Sequence, residues 1–314
     1  MLELLQRSGQ YLYTTNYSRD EAALCKMEIT ELFNIALAEK HFFSNFFINP
    51  SRSPFIKKCI NIMFTGENLE DIINQIQKKN LFGLNYKVSY VEIAEDGFDF
   101  KKRRSIEYEV GLSILGDFEM KHPETTFGIT KLNGLWIFGQ FTSNDSKWTT
   151  HNKKPFSYSN ALKVNVSRAI VNIAVGNNLN CSVIDPCCGI GTVLIEALSM
   201  GINIKGYEIN PSIGYNAKRN LQYFEFEDVI TIGDMNTIQD KFDVAIVDLP
   251  YGIFTSISPE QQLSIIASTR SIADRMILIT FDAMEEQINA SGFTIENSCL
   301  ISKGKFERHI YICS

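Results

Sequence analysis

The 314-residue chain has no apolar run near the ~18 residues that a membrane helix needs. Its seven cysteines form no CxxC pair, and its four histidines are too dispersed for metal-ligand spacing. Glu3 and Arg7 interrupt the opening segment before the apolar core of a signal peptide can form. We therefore expect a cytoplasmic protein with no membrane contact, no disulfide framework and no metal centre.

Excess charge is also scarce, and it is unevenly distributed. Residues 1–160 carry 19 basic and 19 acidic side chains, so the net charge of −6 arises in residues 161–314. Such a chain is a poor general nucleic-acid binder, because that binding depends on neutralising phosphates. The first half still contains basic clusters, at Lys57-Lys58, Lys78-Lys79, Lys101-Lys102-Arg103-Arg104 and Lys153-Lys154. Each cluster is either a polyanion contact or solvated surface.

Hydrophobic patterning divides the chain into three parts. Residues 1–145 read as an α+β region, with a helix from Asp20, its expected N-cap, to Phe33 and a hairpin turn at Asn133-Gly134. The polar segment 146–158 reads as an interdomain linker. In residues 159–314, short Val- and Ile-rich runs predict parallel strands buried on both faces. This pattern predicts an α/β, Rossmann-like domain with a seven-stranded sheet that ends in an antiparallel hairpin.

A glycine-containing turn follows the first strand of that domain, in the segment Asp185-Pro186-Cys187-Cys188-Gly189-Ile190-Gly191-Thr192. Glycines let backbone N–H groups approach a ligand closely. Glu208 ends the next strand, where an acid can accept both hydroxyls of a ribose. Position 194 is leucine, so the third glycine of the dinucleotide fingerprint is missing. The pattern favours an adenosyl ligand without phosphates, S-adenosylmethionine. Asp234, after the third strand, could accept from the adenine amine or simply cap a turn.

Asp248-Leu249-Pro250-Tyr251 directly follows a Val-Ala-Ile-Val strand and is the strongest signal in the chain. It matches the Asn/Asp-x-Pro-aromatic motif of methyltransferases that act on exocyclic amines of nucleobases. Such an amine is a weak nucleophile, because its lone pair is delocalised into the ring. The Asp248 carboxylate and the Leu249 carbonyl can accept its hydrogens and orient it. Pro250 fixes the backbone, and Tyr251 can stack on the extruded base.

Residues 155–314 resemble the class I S-adenosylmethionine-dependent methyltransferases of the RNA guanine-N2 methylase group. The segments DPCCGIGTVLIEA, GYEINP, GDM and VDLPYG stand in the order found in that family. The family often has proline where this chain has Leu249, a change that keeps the backbone carbonyl. The resemblance implies that the cofactor is held by Asp185, Pro186, Cys187, Gly189, Gly191, Thr192, Glu208, Ile209, Asp234 and Met235.

Upstream, the segment from Glu109 to Pro123 is similar to part of a THUMP domain, an RNA-binding module that grips tRNA acceptor ends. The similarity covers about residues 60–145. Together the two parts resemble the tRNA guanine-N2 methyltransferases that modify position ten. This implies tRNA as a partner, with a small partner subunit left open. We expect the tRNA backbone to be contacted by Lys101, Lys102, Arg103, Arg104, Lys121 and His122.

Two other functions stay open at this point. An adenine-N6 methylase of DNA or ribosomal RNA would use the same Asp-Leu-Pro-Tyr motif, because the motif serves any exocyclic amine. A non-catalytic RNA-binding module could retain the fold, but it has no physical need for Glu208, Asp248 and Tyr251 together. The sequence therefore predicts methylation of a guanine N2 amine in tRNA.

Overall fold

A computed structural model describes residues 9–93, 97–158, 161–250, 258–303 and 306–314. The chain forms two compact units, one with the residues up to Asn16 and Leu37–Asp145, the other with Tyr17–Ala36 and Ser146–Ser314. This division differs from the predicted one, in which residues 1–145 form a single N-terminal region. Within the described ranges, no helix is both long enough and apolar enough to cross a membrane.

The first unit is a mixed sheet covered by two helices. Its elements are β1 (Tyr11–Thr15), β2 (His41–Ser44), β3 (Ile56–Gly66), α2 (Leu69–Lys78), β4 (Tyr86–Tyr90), α3 (Phe100–Gly111), β5 (Thr125–Leu132) and β6 (Leu135–Ser143). The strand order is β2-β1-β3-β6-β5-β4, with β4 and β5 parallel. Ile72, Ile76, Ile106 and Val110 on the helices are buried with aromatic residues of the sheet. The predicted hairpin is confirmed, and Asn133 and Gly134 both have positive φ.

The second unit is the predicted α/β domain. Its elements are α1 (Ala22–Phe33), α4 (Val164–Val175), β7 (Val183–Asp185), α5 (Thr192–Ser199), β8 (Ile204–Glu208), α6 (Pro211–Tyr223), β9 (Ile230–Ile232), β10 (Phe242–Asp248), α7 (Pro259–Ile272), β11 (Ala273–Thr280), α8 (Glu285–Ala290), β12 (Ile295–Lys303) and β13 (Phe306–Cys313). The seven strands lie in the order β12-β13-β11-β10-β7-β8-β9. Strands β7 to β11 pair in parallel, and β13 pairs antiparallel with β11 and β12. The Rossmann-like sheet and its antiparallel terminal hairpin are confirmed.

Helix α1 belongs to the second unit because its buried partners lie there. Glu28 is fully buried and accepts a hydrogen bond of 2.6 Å from Nδ2 of Asn172 on α4. A buried carboxylate needs such a donor, so this contact fixes the helix on its partner.

The N-cap predicted at Asp20 lies two residues earlier in the structure, at Ser18. Ser18 forms a capping box with Glu21, and Asp20 lies inside a short 3-10 helix that precedes α1.

The first half of the predicted linker is folded. Residues Lys147–Lys153 form a 3-10 helix, and His151 is buried. Nδ1 of His151 lies 2.6 Å from Oε1 of the fully buried Glu196, whose Oε2 accepts from Nη1 of Arg168 at 2.8 Å. These partners lie on α5 and α4. The segment reads as a linker in sequence because the partner that buries His151 lies 45 residues further along the chain.

Candidate active site

Three carboxylates lie at one edge of the second sheet. Asp185, Glu208 and Asp248 are the last residues of β7, β8 and β10, and these strands are adjacent and parallel. The chain passes from β7 to β8 on one side and later returns with β10 on the other side. The carboxyl ends of β7 and β10 therefore flank the topological switch point, where α/β sheets bind their ligands.

The glycine turn between β7 and α5 is held against the acid of β8. Gly189 and Gly191 have φ values of 54° and 79°, a region that favours glycine. The Gly189 N–H donates to Oε2 of Glu208 at 3.0 Å, and the Asn210 N–H donates to Oε1 at 2.8 Å. The turn and the acid thus form one hydrogen-bonded structure. The ribose-binding role of Glu208 remains a prediction.

The electrostatics of this edge favour a cationic ligand. Burial raises the pKa of Asp185 well above its ordinary value, a hydrogen bond from the Cys187 N–H opposes that shift, and the charges of Asp248 and Glu208 raise the pKa further. Burial also raises the pKa of Glu208, against the lowering effect of backbone N–H groups. Burial and the two neighbouring carboxylates thus disfavour the anionic form of Asp185, and a positive charge placed beside it would offset that effect.

The predicted catalytic motif is anchored to the sheet. The side chain of Leu249 is buried in the core, and its N–H donates to the Ile279 carbonyl at 3.0 Å. Only the backbone of Leu249 can therefore face a ligand, which suits the role predicted for its carbonyl. Asp248 and Pro250 are half-buried at the edge of the sheet. Tyr251 lies outside the described residues, so its predicted stacking role remains a prediction.

The remaining predicted cofactor residues divide into two groups. Ile209 is 70% exposed directly after Glu208, so its apolar side chain is available to a ligand. Met235 is buried in the hydrophobic core, and Asp234 caps a short 3-10 helix by accepting from the Asn236 N–H at 2.9 Å. The capping alternative for Asp234 is thus observed, and its adenine contact remains a prediction.

Pro186 and Cys188 are buried in the turn, and Cys187 packs against the core. Burial, with Asp185 and Glu208 nearby, raises the pKa of both thiols. Neutral thiols at this position suit packing beside the turn and not nucleophilic attack.

Two residues of the site were missed by the sequence analysis. Asn220 on α6 is fully buried, and its Nδ2 donates to the carbonyls of Phe156 and Ile190 at 3.0 Å each. It thereby ties the segment before α4 to the glycine turn. Tyr158, two residues after Phe156, places its hydroxyl oxygen 2.6 Å from the position of a Cβ built on Gly189. No local pattern marks either residue, because each acts on a turn some 30 residues away in sequence.

In the first unit, the predicted RNA-binding residues lie at two places. Lys101 and Lys102 are exposed in the first turn of α3. Arg103 forms a bidentate ion pair with Glu92, at 2.6 and 2.9 Å, and Arg104 pairs with Glu107 at 2.7 Å. Lys121 and His122 are exposed in a later loop, where their N–H groups donate to Oε1 of Glu119. The two arginines thus already have carboxylate partners.

A glycine turn with acids at the switch point of a Rossmann-like sheet defines the class of the second unit, a methyltransferase-type nucleotide-binding domain. Residues 151–266 match the family described as the RMKL-like methyltransferase domain. The predicted resemblance to a methyltransferase domain is confirmed over this part of the chain.

Two curated proteins with similar sequences are also named as methyltransferases. The chain is 26% identical over 217 residues to a tRNA (guanine(10)-N2)-dimethyltransferase of Pyrococcus abyssi, a match that covers 62% of each protein. It is 31% identical over 169 residues to the protein of the same name from Methanothermobacter thermautotrophicus, with 50% of each covered. The matched part of the chain thus spans about half to three fifths of these relatives' length. Among solved structures, TrmN from Thermus thermophilus is 12% identical, with a TM-score of 0.48 over 97% of this chain and 99% of that one.

The cofactor that this domain indicates is S-adenosylmethionine, and the described residues fit it. Its sulfonium and ammonium groups would supply the positive charge that the buried Asp185 and Glu208 favour. The Thr192 hydroxyl is buried beside the glycine turn and has no hydrogen-bond partner among the described residues, so it can serve a ligand. Over the same ranges, no three acidic, histidine or cysteine side chains are arranged to hold a metal ion. A phosphate-bearing dinucleotide would instead bring negative charge to this edge.

Proposed function

We propose that the protein transfers a methyl group from S-adenosylmethionine to the N2 amine of a guanine in tRNA. The position of Asp248 carries the proposal. It ends β10, the strand next to the one that Asp185 ends, at the switch point where the cofactor is expected. An acceptor at that position can orient an amine toward the methyl group that the cofactor supplies when it is bound.

The chain's own groups match the needs of this reaction. The bond between sulfur and the methyl carbon breaks, a bond from nitrogen to that carbon forms, and the nitrogen loses one proton. Asp248 and the Leu249 carbonyl would accept the two amine hydrogens, which aligns the nitrogen lone pair with the methyl carbon. Asp248 is also the candidate acceptor of the released proton. Because the backbone of Leu249 is bonded to β11, these acceptors are preorganised.

The substrate class rests on the curated relatives, both named as tRNA (guanine(10)-N2)-dimethyltransferases. We assign RNA binding to the first unit, whose residues from about 60 to 145 we interpret as a THUMP-type module. Lys101 and Lys102 on α3, with Lys121 and His122, are its candidate phosphate contacts, which position RNA without reading its bases. All seven cysteines are free, which is compatible with the cytoplasmic location that we assign.

The test incubates the full chain with methyl-labelled S-adenosylmethionine and unmodified bulk tRNA, and then digests the RNA to nucleosides. We expect the label in N2-methylated guanosine, with none from the Asp248→Asn variant. Parallel reactions contain ribosomal RNA and DNA. Label in N6-methyladenosine from either of these would support the adenine alternative and overturn the guanine assignment. Tight cofactor binding without label in any nucleic acid would favour the non-catalytic module.

A further inference from the structure

Tyr158 lies beside the candidate active site on a rigid support. The buried Asn220 side chain makes two hydrogen bonds to the backbone of Phe156. Its Oδ1 accepts from the Phe156 N–H at 2.9 Å, and its Nδ2 donates to the Phe156 carbonyl at 3.0 Å. The same Nδ2 group also donates to the Ile190 carbonyl. The backbone just before Tyr158 is therefore fixed relative to the glycine turn.

The tyrosine hydroxyl lies directly over that turn. A Cβ atom at Gly189 would approach the Tyr158 oxygen to 2.6 Å, so a larger residue there would displace the hydroxyl. The side chain is 45% exposed, so one part of it faces solvent while the rest lies against the protein. Tyr158 thus borders the space next to Gly189 into which a ligand of the turn would enter.

The chemical character of this hydroxyl differs from that of its surroundings. Burial, followed by the charges of Asp248, Glu208 and Asp185, raises the pKa of Tyr158. The hydroxyl is protonated at neutral pH and lies close enough to the three carboxylates for their charges to act on it. Ionised carboxylates only accept hydrogen bonds, whereas a protonated phenol can donate one.

This difference matters for an amino-acid ligand. S-adenosylmethionine carries an ammonium group, which the carboxylates attract, and a carboxylate, which they repel. The ligand carboxylate needs donors that are not themselves anionic. The Tyr158 hydroxyl is such a donor, and the buried Thr192 hydroxyl at the start of α5 is a second one.

We propose that the Tyr158 hydroxyl binds the carboxylate of the cofactor's amino-acid group and holds that group over Gly189. This inference rests on the proposed function, because it assumes that the site binds S-adenosylmethionine. Tyr158 is a binding residue in this assignment and takes no part in the proton transfer. Its contribution belongs to cofactor affinity and does not depend on the nucleic-acid substrate.

The test compares S-adenosylmethionine with its decarboxylated form, which keeps the sulfonium, the amine and the adenosine. Calorimetry measures both dissociation constants for the parent chain and for Tyr158→Phe, which keeps the ring and loses only the hydroxyl. A lost hydrogen bond to a charged group weakens binding roughly 10- to 100-fold. We expect that loss for S-adenosylmethionine and an unchanged constant for the decarboxylated ligand. Tyr223→Phe, an exposed tyrosine on α6, is the matched control and should change neither constant.

Each other outcome is decisive. An equal loss for both ligands would place the hydroxyl against another part of the cofactor and overturn the assignment. Unchanged affinity for both ligands would also overturn it. Failure of the parent chain to bind either ligand would refute the proposed cofactor itself, and the inference with it. Because these readouts need no RNA, a wrong choice of nucleic-acid substrate leaves them unaffected.

Discussion

The Gly189 N–H donates a hydrogen bond of 3.0 Å to Oε2 of Glu208, so the turn after β7 is fastened to the acid that ends β8. The glycine turn and the carboxylate to which we assign the adenosyl ligand are therefore coupled. A change at Glu208 should affect both of them.

Replacement of Glu208 by alanine should weaken cofactor binding first. It removes a ribose acceptor and the acceptor of the Gly189 and Asn210 N–H groups. Loss of a charge-assisted hydrogen bond costs about 1.5–3 kcal/mol, so calorimetry should show at least a tenfold rise in the dissociation constant of S-adenosylmethionine. The exposed Glu227→Ala is the control. Unchanged affinity in Glu208→Ala would mean that the carboxylate only stabilises the turn.

Asp248→Asn should reduce turnover and leave cofactor binding nearly unchanged, which is the reverse of the result expected for Glu208→Ala. The carboxylate is assigned to the target amine, so its contribution should appear mainly in the transition state. The activation free energy of methyl transfer should rise by about 3 kcal/mol or more, while the cofactor dissociation constant changes little. Asp240→Asn is the matched control, because that side chain is 63% exposed and pairs with Lys205. Near-normal turnover in Asp248→Asn would show that the Asp248 carboxylate takes no part in the reaction.

Sequence patterns predicted those features that depend on local physics. The Asn133-Gly134 turn requires positive φ at both residues, and the dipeptide adopts it readily. The Val-Ala-Ile-Val run of β10 places Asp248 at a strand end in any parallel sheet, so the motif could be located without coordinates. The order of the strands around β7 then brings Asp185 and Asp248 to the same edge.

Features that depend on distant partners were not predictable in the same way. Helix α1 carries a fully buried glutamate whose partner, Asn172, is 144 positions away, so nothing local assigns it to the second unit. His151 sits in a polar segment that reads as a linker until Glu196 is placed beside it. Tyr158 becomes informative only when the fold puts its hydroxyl over Gly189.

The raised pKa of Asp185 predicts a pH-dependent stability. The folded protein keeps this proton above the ordinary pKa of 3.8, whereas the unfolded chain releases it there. The folded state thus binds more protons in this range, and the free energy of unfolding falls as pH rises from about 4 toward the folded pKa. The side chain at this position does not titrate in Asp185→Asn. The free energy of unfolding of this variant should therefore lack this contribution to its decrease with pH.

Thermal unfolding of the free protein checks this sign. The Tm of Asp185→Asn minus that of the parent should increase as pH rises from about 4 toward the folded pKa of Asp185. Asp282→Asn, at an exposed position, should show no such trend. A constant difference across the range would contradict the assigned pKa shift.

Glu196→Ala should destabilise the second unit strongly. It leaves Arg168 and His151 without the buried carboxylate that lies within 2.8 Å of each. Breaking a buried ion pair by removing one partner costs about 3–5 kcal/mol. Urea unfolding should show this loss, and Glu227→Ala should cost less than ~0.5 kcal/mol as a surface change. A small loss in Glu196→Ala would mean that residues 147–153 are only loosely attached, as a linker would be.

The basic cluster of α3 separates into two pairs with different expected roles. Lys101 and Lys102 are exposed, whereas Arg103 and Arg104 are already paired with Glu92 and Glu107. Replacing both lysines by serine should weaken tRNA binding and flatten its salt dependence by up to ~0.9 per lost phosphate contact on duplex. Replacing both arginines by serine should mainly reduce the stability of the first unit, with a smaller change in the salt slope. Affinity for S-adenosylmethionine should stay at the parent value in both variants, which serves as the internal control.

If the arginine variant alone flattens the salt dependence, then the ion pairs open to meet the RNA. If neither variant changes it, then α3 does not contact the RNA backbone, and Lys57-Lys58 and Lys153-Lys154 become the next candidates.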